Sequence, residues 1–146
     1  GLVSIPGLQA AAPEGWTQVT PDNQMRLAQF EAGAATVTVS QAGGSTDANI
    51  DRWLGQFVDQ YGQPNDPADR YERTVAGFDA TVVETFGAYL EGAMFGTPQR
   101  RENYGLVGAV IETPGSSTFI KMTGPEVDIE EQREAFDRFL DAFRTN

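Results

Sequence analysis

The residue types that most often perform chemistry are missing here. The 146 residues include no histidine and no cysteine. The commonest general base and the thiol nucleophile are therefore absent. Ser-His-Asp and Cys-His arrangements cannot be assembled within the chain, nor can tetrahedral zinc sites built from nitrogen and sulfur ligands. What remains is carboxylate, tyrosine and serine chemistry, with a single lysine, Lys121.

Among the polar clusters, Gly92-Ala-Met-Phe-Gly-Thr-Pro-Gln-Arg-Arg-Glu-Asn103 stands out. It sets the apolar Met94 and Phe95 in loop-like sequence before Arg100-Arg101, the one adjacent basic pair. Arginine pairs suit carboxylates and phosphates, and loops carry binding more often than cores do. Met94, Phe95, Arg100 and Arg101 are therefore the candidate ligand- or partner-binding residues. The plainer account packs Phe95 on a sheet and pairs the arginines with nearby acids.

The other clusters read as structure. Asn65-Asp66-Pro67-Ala68-Asp69 offers oxygen ligands but lacks the spacing and closing glutamate of a calcium loop. Glu126, Asp128, Glu130 and Glu131 sit where a helix start favours negative charge. A glycosidase needs two carboxyls fixed across a cleft, and so acidic a chain offers many pairs without singling one out. Gly43-Gly44, between a strand-like run and a helix-like run, has the layout of a phosphate loop. It has no lysine, and Asp47 and Asp51 stand where phosphate would sit. A flexible turn with Thr46 or Asp47 capping a helix is the better account. No catalytic, cofactor-binding or metal-binding residue is assigned.

The elements that would position these residues follow from periodicity. Residues 1–14 are rich in alanine and proline with no apolar period, so an arm or linker is expected there and a single domain over 15–146. Strands are expected at 16–20, 25–30, 35–40, 73–75, 80–86, 104–112 and 117–123, the third for its strict alternation and the fifth for its β-branched residues. A long connection spans 88–103. Ile50, Trp53, Leu54, Phe57, Val58 and Tyr61 make one apolar stripe on a helix over 47–61, stopped by Gly62 and Pro64. A second stripe, Ile129, Phe136, Phe139, Leu140 and Phe143, predicts a helix over 129–143 with Asp128 as its cap. The expected class is α+β: a mostly antiparallel sheet of about six strands flanked by helices.

Composition limits the partners. The formal net charge is -11, from 21 acidic and 10 basic residues. That opposes nucleic-acid binding and docking on anionic lipid. No apolar run reaches the length of a membrane span. Gly1 reads as a tag remnant, and Leu2-Val-Ser-Ile-Pro suits the start left by removal of an export signal. An extracytoplasmic location is expected, periplasmic or membrane-tethered through a segment before residue 1.

Thr118-Phe-Ile-Lys-Met-Thr-Gly-Pro125, Val127 and the final Phe136-Asp-Arg-Phe-Leu-Asp-Ala-Phe143 resemble the end of Mog1/PsbP-like domains. Pro13-Glu-Gly-Trp16, the Met25-Arg-Leu-Ala strand, and a helix carrying Asn49-Ile50, Arg52-Trp53 and Gln56-Phe57 are similar to the start. The resemblance is to bacterial exported or lipoprotein-type members without assigned activity. It implies an α/β/α sandwich and a binding or assembly role with a protein partner, without catalytic residues or cofactor. A small-molecule carrier with a pocket between sheet and helix is the second reading. A carboxylate-based hydrolase is the third.

Overall fold

Alternation of apolar and polar residues lays out strands from the first residues of the chain. The computed structural model describes residues 1–65, 69–92 and 96–146. Val3 and Ile5 point inward from β1 (Leu2–Ile5), as do Leu8 and Ala10 from β2 (Leu8–Ala11), and the two strands pair as a hairpin. The expected arm over 1–14 is thus corrected. Its four apolar inward residues join the main core, so the hairpin belongs to the domain. The short strands, four residues each, hide their period among alanines.

The main sheet begins with the meander β3 (Thr17–Val19), β4 (Arg26–Ala32) and β5 (Ala35–Ala42). Gly33 turns β4 into β5 at φ 62, in the left-handed region that glycine tolerates. Helix α1 (Thr46–Leu54) follows, then β6 (Phe57–Val58) and β7 (Asp69–Val75). Two long strands, β8 (Phe78–Glu91) and β9 (Gln99–Ile111), pair along most of their length. The connection expected over 88–103 is accordingly mostly strand. Next come β10 (Ser117–Pro125), helix α2 (Glu126–Ala142) and β11 (Arg144–Thr145).

The large sheet has eight strands in the order β3-β4-β5-β10-β9-β8-β6, with β7 also on β8, and a small sheet runs β1-β2-β11. Every pairing among the described residues is antiparallel. The sheet is larger than the six strands expected, because β6, expected as part of the first helix, joins it through β8.

Successive residues of β9 face opposite layers. Leu106 and Val110 pack with Ile50 and Trp53 of α1, whereas Val107, Ala109 and Ile111 share a core with Phe136, Phe139 and Leu140 of α2. The result is an α/β/α sandwich. Burying each large apolar side chain stabilises the fold by about 1.5–3 kcal/mol. The aromatic triangle Trp16, Phe30 and Phe139 adds edge contacts, with centroids 5.2–5.9 Å apart.

Helix α1 is two turns shorter than its apolar stripe suggests. Gly55 closes it, and Phe57 and Val58 pair with Tyr89 and Ala88 instead. Phe57 is buried as expected, while Tyr61 is exposed. The cap is Ser45, whose Oγ accepts from the Ala48 amide at 3.0 Å. Asp128 does not cap α2, which starts at Glu126; its carboxylate accepts from the Ala34 amide at 3.0 Å and holds the β4–β5 turn.

Two outcomes test this packing. A Cβ on Gly108 would lie 2.6 Å from Trp53 Cζ3. Gly108→Ala is expected to destabilise by about 1–3 kcal/mol, the cost of overpacking, in urea unfolding followed by tryptophan fluorescence. Removing residues 1–11 is expected to cost more than about 3 kcal/mol by the same measurement; a free arm would cost nothing.

Candidate functional site

Strand β10 alternates Phe119, Lys121 and Thr123 on the α1 face with Ile120 and Met122 on the α2 face. Lys121 lies opposite Thr38 on β5 and Gly108 on β9, and Thr123 lies opposite Thr36. The bare Gly108 admits the Trp53 ring, and Lys121 Nζ sits over that ring at 5.8 Å from its centroid. Beyond Trp53 the face is uncovered, leaving a groove of about 160 Å3.

Threonines and tyrosines form the floor and wall of this groove. Thr36, Thr38 and Thr123 line it together with Tyr89 and Tyr104. The two phenol rings stack at 6.0 Å, and Phe57 stacks behind Tyr89 at 5.0 Å. Charged groups mark the rim. Asp22 holds Arg26 at 3.1 Å, and Gln29 bonds both. Glu91 holds Arg101 at 3.0 Å. Among the described residues no carboxylate lies within ion-pair distance of Lys121.

Burial therefore acts on Lys121 without compensation. Loss of water, followed by the nearby Arg26 and Arg52 cations, lowers its amine to about 8. Burial first, then the Glu91 carboxylate, raises the Tyr89 phenol above its ordinary value.

Of the residues singled out in the sequence, Arg101 lies beside this groove. Arg100 pairs with Glu102, and Arg101 with Glu91 and with Gln99 Oε1 at 3.1 Å, all on or beside the β8–β9 ladder. Through Glu91, Arg101 reaches the groove rim. Met94 and Phe95 lie outside the described residues. Sequence reasoning missed the groove itself. The lone lysine in an alternating strand was a signal, but only strand register brings Tyr89, Tyr104 and Thr38 to it.

The glycine turn borders a second depression of about 530 Å3, open to solvent, between α1 and the β9–β10 turn. Asp47, Glu72 and Glu112 line it against one arginine, Arg70, itself paired with Asp47 at 2.5 Å. Such a basin repels phosphate. Asn49 closes the turn from within, donating to the Gly43 and Ser45 carbonyls at 3.3 and 2.8 Å. Of the calcium-loop candidate, Asp66 lies outside the described residues, and Asn65 donates to the Phe86 carbonyl at 2.7 Å. Among the described residues, no three acidic side chains gather as a metal site.

Comparison with family models finds no match, and no curated protein matches. Solved structures do. The fold is similar to cyanobacterial PsbP (CyanoP) from Synechocystis sp. PCC 6803, with TM-score 0.60 and 13% identity over 96% of this chain and 87% of that one. It is also similar to LpqN, involved in cell envelope biogenesis of Mycobacterium tuberculosis, with TM-score 0.58 and 13% identity over 100% of this chain and 90% of that one. A Pseudomonas aeruginosa protein of unknown function, described as a putative regulator, matches with TM-score 0.51 and 12% identity over 94% of this chain and 91% of that one. The Mog1/PsbP-like fold expected from sequence is thus shown, at an identity that carries fold alone.

The depressed amine has a consequence for stability. Its folded-state value lies below the ordinary 10.5. The unfolded chain therefore binds more protons between the two values, and stability rises with pH across that window. Below about 8 the penalty is complete. Lys121→Met is expected to stabilise by about 1–2 kcal/mol at neutral pH, after allowance for the lost cation–π contact. The advantage should shrink above about 8 and vanish near 10.5, as read from paired urea unfolding curves.

Proposed function

We propose that this protein is a non-catalytic binding or assembly domain that works outside the cytoplasm and meets a protein partner. One observation carries the choice of a surface mode. Both helices bury their apolar stripes on the sheet, with Ile50, Trp53, Ile129, Phe136, Phe139 and Leu140 all enclosed. A carrier that encloses an apolar ligand needs an apolar cavity between helix and sheet. The depressions described above are instead open and polar. The likeness to a cyanobacterial PsbP and to a protein of mycobacterial envelope biogenesis supports a role outside the cytoplasm. In this reading the contact edge is the β8–β9 end with Arg100 and Arg101, and Met94 and Phe95, which stand between the two strands in sequence, belong to the same proposal. Surface ion pairs such as Arg100–Glu102 are weak enough to exchange for a partner's carboxylates.

The test uses the gene product in its own host. Photo-crosslinking residues replace Gln99 or Glu102, and protease is added to cells with and without an intact inner membrane. The expected result is one cross-linked species of defined mass, with protease access while the inner membrane is intact. Arg100→Ala with Arg101→Ala should weaken the cross-link at least tenfold. Full protection behind an intact inner membrane would overturn the location, and an unchanged cross-link in the double variant would overturn the contact edge.

A further inference from the structure

The Lys121 groove contains more donors and acceptors than its own structure uses. Threonine hydroxyl bonding runs through Thr113 and Thr118. Among the described residues, the hydroxyls of Thr36, Thr38 and Thr123 have no protein partner. These three line the groove with Lys121, and Thr38 lies directly across the ladder from it. An ammonium without a counter-ion and three free hydroxyls thus face one recess.

Charge and size narrow the occupant. The groups facing Lys121 are Asp22 before β4, Arg26 on β4, Arg52 on α1, Tyr89 and Glu91 on β8, and Tyr104 on β9. Asp22 already holds Arg26, Glu91 already holds Arg101, and Arg52 lies outside the groove lining, which leaves the charge of Lys121 in excess within it. One negative charge completes the set. A phosphate dianion would bring a second charge toward Asp22 and Glu91, and among the described residues Lys121 is the one unpaired cation that lines the groove. At about 160 Å3 the recess falls well below the roughly 300–1,000 Å3 that encloses a drug-sized ligand. It suits a compound of a few heavy atoms. Hydroxyl groups both donate and accept, so they favour a ligand that carries a hydroxyl of its own.

We propose that the groove beside Lys121 is a binding site for a small hydroxylated monocarboxylate. Its carboxylate meets the ammonium of Lys121, and its hydroxyl meets Thr38 and Thr123. The stacked Tyr89 and Tyr104 rings form the flat wall beside it. This site meets the protein-contact edge only at the Glu91–Arg101 pair, and its test reads ligand binding rather than cross-linking, so failure of either proposal leaves the other standing.

The single lysine makes the test direct. Lysine labelled with carbon-13 gives one side-chain Cε resonance, that of Lys121. Lactate, its neutral methyl ester, acetate and inorganic phosphate are the probes. Lactate is expected to shift the resonance saturably and to raise the titration midpoint above about 8. Binding should be constant below that midpoint and fall as the amine loses its proton above it. Acetate should bind several-fold more weakly. Lys121→Met, followed by calorimetry, should lose at least tenfold in lactate affinity. Thr38→Val should remove the preference for lactate over acetate. Equal binding of the methyl ester, preference for phosphate, undiminished affinity in Lys121→Met, or no saturable shift at tens of millimolar would each overturn the proposal.

Discussion

The central strand β9 is covered on both faces from Leu106 to Ile111, and that constraint shapes the rest of the molecule. A strand with two covers has no side left for polar alternation, so its sequence becomes nearly continuous in apolar residues. Leu106 through Ile111 is such a run, broken only by Gly108. The break is where α1 docks, because the missing side chain admits the Trp53 ring. Helix α1 is fixed at one point by that slot. It has only nine residues, about 13–14 Å of rise. Seven strands at about 4.8 Å spacing extend about 29 Å across. A helix so short cannot cover them. The uncovered part over β4, β5 and β10 is where Thr36, Thr38, Lys121 and Thr123 replace apolar side chains.

The opposite face meets the same constraint differently. Helix α2 is 17 residues long, and the small sheet extends its cover. β11 pairs with β2, and Asn146 donates to the Ile5 and Leu8 carbonyls, each at 2.9 Å. Both ends of the chain are thereby joined over one core. Asp128 adds a tie from α2 to the β4–β5 turn. One face is sealed by helix and hairpin together, and the other is left half open. This asymmetry gives the sandwich a front and a back, with the recess on the face of the shorter helix.

How far sequence reaches into such a fold depends on which force sets each element. Strand β5 was legible because strict alternation is a local property, and β10 because the Pro-Gly turn at 113–116 marks a hairpin with the strand before it. The stripe of α2 was legible because five aromatic or aliphatic residues repeat at helical spacing over several turns. Phe57 and Val58 fit the helical stripe of α1 equally well, yet they pair with β8. Burial alone does not distinguish the two outcomes, and Gly55 was the local sign that the helix ends first. The hairpin over residues 2–11 is held by contacts with the far end of the chain, which no window of nearby residues contains. The groove failed for a related reason. Lys121, Thr38, Tyr89 and Tyr104 come from four strands, and only their register brings them together. Met94 and Phe95 drew attention because apolar residues in polar sequence are conspicuous. Lys121 did not, because a lysine in an amphipathic strand looks like an ordinary solvent-facing residue.

The chain itself shows how it treats a cation that serves structure alone. Arg133 on α2 is partly buried, and it is met on every side: by Glu84 at 3.1 Å, by Asp137 one helical turn on, and by the Tyr71 hydroxyl at 2.8 Å. Such a set offsets the desolvation of the charge and ties α2 to β7 and β8. Lys121 is likewise partly buried, with an aromatic face beneath it and, among the described residues, no carboxylate within ion-pair distance, in a protein that carries 21 acidic residues. Acids are abundant enough to have supplied a partner, and two stand on the rim engaged to other cations. A charge left without a counter-ion lowers stability, and a methionine of nearly the same shape would avoid that loss. Departures of this kind from local optimisation concentrate where a molecule recognises something. Fold and charge together therefore direct attention to the half-open face, where α1 ends and the groove beside Lys121 opens to solvent.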